Sequence, residues 1–206
     1  MIYSEKEFFG GAITSDLPTN WKDLSDIRPI PDNQECFQDS FVSDDPTMLV
    51  VEILERQEHV EDDDAAGFFF NELAERNDAL QTENDIRFHT ASQTHASSTA
   101  ALLNDDSIVA GTNTIRVCAG SGYQKVAMGR DFDTAGNSRR PRQKIKCIRV
   151  DLYVFRLPVQ ETDLLITISS PVDDTNLDDV PLESLQASIL SRVVSTFRIH
   201  NWDLFG

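Results

Sequence analysis

Apolar and polar residues alternate along much of this chain, in short runs separated by turn-forming residues. Gly11 to Leu17 alternates weakly and stops at Pro18, which predicts a first strand. Asp23 to Asp26 reads as a single helical turn, and Gln34 to Phe37 as a short strand. Met48 to Leu54 (MLVVEIL) is rich in β-branched residues and predicts a buried central strand. Asp85 to Thr90 and Thr114 to Ala119 alternate as strands do. Gly120, Ser121 and Gly122 predict a tight turn, from which Tyr123 to Met128 returns. Ile145 to Leu157 is a long alternating strand. Leu164 to Ser169 follows it closely enough for a hairpin.

Two segments have helical spacing instead. Ala66, Phe69, Phe70 and Leu73 share one helical face behind the acids Glu61 to Asp64, which suit the positive end of a helix dipole. Leu182, Leu185, Ile189, Val193 and Phe197 repeat at intervals of three and four, and Pro181 is expected to open that helix. Five to seven strands in hairpins with two helices predict an α+β domain, a mainly antiparallel sheet with helices on its faces. No linker divides the chain, so residues 1–206 are expected to form one domain. The polar stretches 91–107 and 130–144 are expected to be mobile loops within it.

Composition narrows the partners. The net charge is -17, with a pI of about 4.4. Phosphate-rich partners would be repelled, which argues against nucleic acid or an anionic membrane. The charge is lopsided: residues 1–115 hold 24 acidic and 6 basic side chains, residues 116–206 hold 11 and 12. Gathered on one face, those acids would steer a cationic partner; spread out, they are a solubilising surface. Cys36, Cys118 and Cys147 are odd in number and widely spaced, as expected of free thiols in a reducing compartment. Neither a signal peptide nor a membrane-length apolar run is evident, so the expected location is cytosolic or nuclear.

Catalytic signatures are missing. There is no GxxxxGK[ST] phosphate loop, no HExxH pair among the four histidines, and no GxSxG nucleophile elbow. Cys36 could serve as a thiolate, but Glu35 beside it raises a thiol pKa, and a packing role fits better. Neither a cofactor nor a metal is expected. Arg139, Arg140, Arg142, Lys144, Lys146 and Arg149 form a basic run, read either as a contact for an acidic partner or as a solvated loop. Lys146 and Arg149 are expected to point outward from their strand.

The most distinctive stretch is Asp26 to Glu35. Arg28, Asp32, Asn33, Gln34 and Glu35 crowd around Pro29 and Pro31. Each proline fixes its own φ and disfavours helix in the residue before it, which makes a stiff, shaped loop. One reading is a self-satisfied turn, because Asp and Asn bond their own backbone there. The other is a partner-binding surface of Asp26, Arg28, Pro31, Asp32, Asn33, Gln34 and Glu35, with Asp32 and Glu35 as anions and Arg28 as a forked donor.

At these residues the chain resembles a known family. FGGAI, then SDIRPIPDNQE, MLVVEILERQEHV, DAAGFFFNEL, FRLPVQETDLLITISSPVD and the terminal DLFG look like the Mog family of Ran-GTPase-binding nuclear import factors, also called Ran guanine nucleotide release factors. The resemblance implies an α/β/α sandwich around a mainly antiparallel sheet of about six strands, a fold shared with PsbP proteins. It implies binding to the small GTPase Ran and release of its guanine nucleotide in nuclear import, without catalytic chemistry. A further Ran-binding protein could join, and the chain is expected to be a monomer in nucleus and cytoplasm. The family's PDxQE acids are Asp32 and Glu35 here. The alternative function is an acidic adaptor that docks a basic segment of another protein.

Overall fold

The alternating runs assemble into two antiparallel sheets. In a computed structural model, residues 1–39, 46–79, 86–90, 115–128, 144–172 and 184–206 are described. The strands are β1 (Tyr3–Phe8), β2 (Ile13–Pro18), β3 (Trp21–Asp23), β4 (Gln34–Asp39), β5 (Met48–Glu55), β6 (Ile86–Thr90), β7 (Arg116–Met128), β8 (Lys144–Leu157), β9 (Thr162–Val172) and β10 (Arg198–Ile199). The helices are α1 (Ala65–Arg76) and α2 (Leu185–Thr196). The larger sheet runs β3-β4-β5-β9-β8-β7-β6, and the smaller runs β1-β2-β10.

Side chains on a strand alternate between faces, and both faces of the large sheet are covered. Val150, Leu152 and Val154 of β8, with Leu165 of β9, pack under Ala65, Ala66, Phe69 and Phe70 of α1. Their neighbours Phe155, Leu157, Leu164, Ile166 and Ile168 face the other way, against Ile189, Leu190 and Val193 of α2 and Ile13 and Leu17 of β2. Each fully buried Leu or Phe in these layers contributes about 1.5–3 kcal/mol. The result is the expected α/β/α sandwich. Among the described residues the large sheet holds seven strands where about six were expected, and the small sheet is an addition.

Several expectations fail for identifiable reasons. Gly120 to Gly122 make no turn: β7 runs straight through them in register with β8. Gly120 is there to admit an aromatic ring, since a Cβ on it would lie 2.3 Å from Cζ of Phe88 on the neighbouring strand. Arg149 does not point outward. It is 3% exposed and forms a two-pronged ion pair with Asp151, both contacts at 2.8 Å. Residues i and i+2 share a face, so the two charges neutralise each other on a covered strand. Lys146 is half-buried.

Helix α2 is described from Leu185, where the Ser184 hydroxyl accepts the Ala187 N–H. The single turn expected at Asp23 to Asp26 begins one residue later: Asp23 closes β3, and the Leu24 carbonyl accepts from the Ile27 and Arg28 N–H groups, the bonding of one helical turn. Of the loops expected at 91–107 and 130–144, residues 91–107 and 130–143 lie outside the described residues, as do Pro181, Arg139, Arg140 and Arg142, while Lys144 opens β8.

Candidate functional site

The proline-rich loop joins β3 to β4 and is pinned at several points. Leu24 is buried, and its N–H bonds the Cys36 carbonyl at 2.8 Å. Its own carbonyl accepts from Ile27 and Arg28, both at 3.0 Å. Pro31 to Gln34 form a β-turn closed by the Gln34 N–H on the Pro31 carbonyl at 2.9 Å. Pro31 has its φ fixed where the chain enters the turn, and Asp32 and Asn33 occupy its centre. The loop is therefore a fixed ledge at one end of the large sheet.

The seven candidate residues fall into two groups. Asp26, Arg28, Pro31 and Asp32 are exposed. Asp32 sits on the turn itself and makes no hydrogen bond or ion pair with any described residue. The other three are spoken for. Asn33 Nδ2 donates to the Ile53 carbonyl at 3.0 Å, and the Asn33 carbonyl accepts from Ile53 at 2.9 Å. Gln34 Nε2 donates to Glu52 Oε1 at 2.7 Å, and Glu52 also accepts from Arg76 of α1 at 3.2 and 3.3 Å. Glu35 Oε1 accepts the Phe9 N–H at 2.6 Å.

That last bond has a structural purpose. Phe9, Gly10 and Gly11 all have positive φ, at 50°, 63° and 89°. A phenylalanine in that region is strained, and a strong acceptor holds it there. Glu35 faces the side of the sheet that carries the small sheet, next to Phe37 of the core. Burial raises its pKa above the ordinary carboxylate value; the Phe9 N–H opposes the rise and the Asp23 charge adds to it. Cys36 is buried as well, and burial raises its thiol pKa, partly offset by Arg28. A thiol held protonated is a poor nucleophile, so packing is its role.

Two features of this end of the molecule are not evident from the chain alone. Ile27 is 65% exposed at the crest of the ledge. The β8–β9 hairpin beside it rests on a buried ion pair: Arg156 and Asp163 are both fully buried and meet at 3.0 Å. Nothing in the local pattern announces either; Ile27 reads as a core residue and Arg156 as a surface one. Among the described residues no group of three or more His, Cys, Asp or Glu is placed to hold a metal ion. No helix there is long and apolar enough to cross a membrane.

An α/β/α sandwich carrying a rigid, mostly acidic ledge is the class of molecule this geometry defines, and solved structures share the fold. The Saccharomyces cerevisiae Ran-binding protein Mog1p superposes with a TM-score of 0.63 at 20% identity, each chain covered in full. A Mog1 E65A mutant gives 0.61, also at 20% and with full coverage. Residues 6–171 match the family described as Ran-interacting Mog1 protein, and this chain belongs to that family. The Homo sapiens Ran guanine nucleotide release factor is 29% identical over 203 residues, 96% of this chain and 94% of the relative. The Danio rerio protein of the same name is 30% identical over 173 residues, 81% of this chain and 78% of its own. The nuclear import protein mog1 of Schizosaccharomyces pombe is 42% identical over a shorter span of 76 residues, 36% of this chain and 38% of its own.

Proposed function

We propose that this chain, as one domain and without a cofactor, binds the small GTPase Ran through the ledge and promotes release of its guanine nucleotide. It would do so in nuclear import, moving between nucleus and cytoplasm as a monomer. Asp26, Arg28, Pro31 and Asp32 form the contact surface, while Asn33, Gln34 and Glu35 hold it in shape. The observation that carries the reading is the placement of Asp32: an exposed carboxylate on a fastened turn, in a chain of the Ran-interacting Mog1 family.

The physical sequence is short. A net charge of -17 draws a cationic face of the partner and raises the rate of encounter. The fixed ledge then pairs Asp32 with a basic group that otherwise supports the bound nucleotide. A ligand that favours the nucleotide-free form weakens nucleotide binding by the same factor, because coupling between two sites is reciprocal. No bond is made or broken by the chain itself.

Release of fluorescent guanine nucleotide from purified Ran tests this. The chain should accelerate release, and the acceleration should decline as salt screens the attachment. Binding without acceleration would favour the adaptor reading instead. No binding at all would end the Ran reading.

A further inference from the structure

Among the described residues, the ledge is one of three loops at this end of the large sheet, and the three are tied into a single body. The pairing of Asn33 with Ile53 fastens the ledge to the end of β5. Beyond β5, residues 56–61 form the second loop. The third is the four-residue tip Pro158–Glu161, between β8 and β9, where Leu157 pairs with Thr162. Arg156, buried under that tip, donates to the Gln57 carbonyl at 2.6 Å and the Val60 carbonyl at 2.5 Å while its Nε holds Asp163. Asp163 in turn accepts the Gln57 N–H at 3.0 Å, and the Arg56 N–H bonds the Glu161 carbonyl at 2.8 Å. A buried arginine used this way fixes two loops relative to each other.

The outer surface of this body is unusual for its location. The hairpin tip projects Val159, 62% exposed, as the ledge projects Ile27 at 65%. Both are held out by short, hydrogen-bonded turns, so their exposure is not a matter of chain fraying. Adjacent strands lie about 4.8 Å apart, and the order β3-β4-β5-β9-β8 separates the two tips by three strand spacings, about 14 Å. Between and around them lie exposed Asp26, Asp32, Glu55, Glu58, Glu61 and Glu161. Two apolar knobs set among acids on a rigid base offer a partner apolar contacts together with charged ones, as protein interfaces combine them.

We infer that the partner surface extends beyond the ledge to the β8–β9 tip, with Val159 as a second apolar anchor for the same Ran molecule. This rests on the Ran reading above. The partner face would carry an apolar contact at each end and basic side chains between. A span of about 14 Å lies well within one standard interface of about 800 Å² per partner, so a single docked molecule reaches both tips.

The test measures the affinity of purified Ran for four variants of the full chain, with thermal unfolding as a check on the fold. Val159→Asp probes the new anchor and Asp32→Lys the ledge. Leu185→Asp, at an exposed apolar position at the start of α2, probes exposure as such. Ile27→Asp completes the set. The inference requires at least tenfold weaker binding for Val159→Asp, Ile27→Asp and Asp32→Lys, and none for Leu185→Asp. If Asp32→Lys weakens binding and Val159→Asp binds as wild type, the extension is wrong and the ledge stands. If Leu185→Asp weakens binding as much as Val159→Asp, the tip has no special part and the extension is again wrong. If Asp32→Lys has no effect, the ledge reading fails and the continuous surface fails with it.

Discussion

The Glu35 carboxylate accepts the Phe9 backbone N–H at 2.6 Å, joining two segments 26 residues apart. A residue that by its neighbours looks like a free surface anion is thus a brace between the ledge and a left-handed loop. Glu35→Gln keeps an oxygen acceptor for that N–H, whereas Glu35→Ala leaves it without a partner. The alanine variant should lose about 1–3 kcal/mol of stability, with faster exchange of the Phe9 amide proton. The glutamine variant should retain slow exchange. Equal exchange in the two would show that Glu35 holds nothing.

The same carboxylate gives a pH dependence with a definite sign. Burial places its pKa above the ordinary value of 4.5. Between the ordinary and the raised value the folded chain binds more protons than the unfolded chain, so its stability falls as pH rises. Glu35→Gln abolishes that titration. The stability of the variant relative to wild type should therefore grow as pH rises through this window and then level off. Urea unfolding at successive pH values reads it, and a difference that is flat with pH contradicts it.

Gly120 and Phe88 make a complementary pair. Gly120→Ala would place a methyl 2.3 Å from the Phe88 ring, inside a packed layer where Phe88 also meets Phe70 at 5.0 Å. Overpacking of this kind costs about 1–3 kcal/mol. With Phe88→Ala already in place, the same glycine substitution should cost much less. Additive losses in this double-mutant cycle would mean that the ring does not set the requirement for glycine.

Arg156 and Asp163 bear on stability through their burial. Arg156→Met strands a buried carboxylate and should cost about 3–5 kcal/mol. Replacing both, as Arg156→Met with Asp163→Leu, should recover part of that loss. Chemical unfolding of the single and double variants measures the difference. A double variant less stable than Arg156→Met alone would show that the stranded charge is not what destabilises the single.

Much of this architecture is legible from the chain because burial leaves a periodic trace. Met48 to Glu55, Lys144 to Leu157 and Thr162 to Val172 are core strands whose alternation or apolar density is plain. The helix Ala65 to Arg76 shows itself through spaced aromatics. Tyr3 to Phe8 escapes notice because its centre, Glu5, Lys6 and Glu7, is exposed, and a two-residue strand such as Arg198–Ile199 leaves no period at all. Glycine misleads at Gly120, where its lack of a side chain serves a neighbour's ring rather than a turn. At the ledge, the residue types are visible but their allegiances are not. Asp32 and Glu35 look alike by composition, and only tertiary neighbours divide them into an exposed anion and an internal acceptor.

The most direct test of the account is the affinity of Ran for Asp32→Lys alone, measured calorimetrically beside wild type, with circular dichroism to verify the fold. Reversing one exposed charge that has no partner among the described residues should leave the spectrum unchanged and weaken binding at least tenfold, about 1.4 kcal/mol. Wild-type affinity in the reversed variant would contradict the claim that this ledge grips the partner.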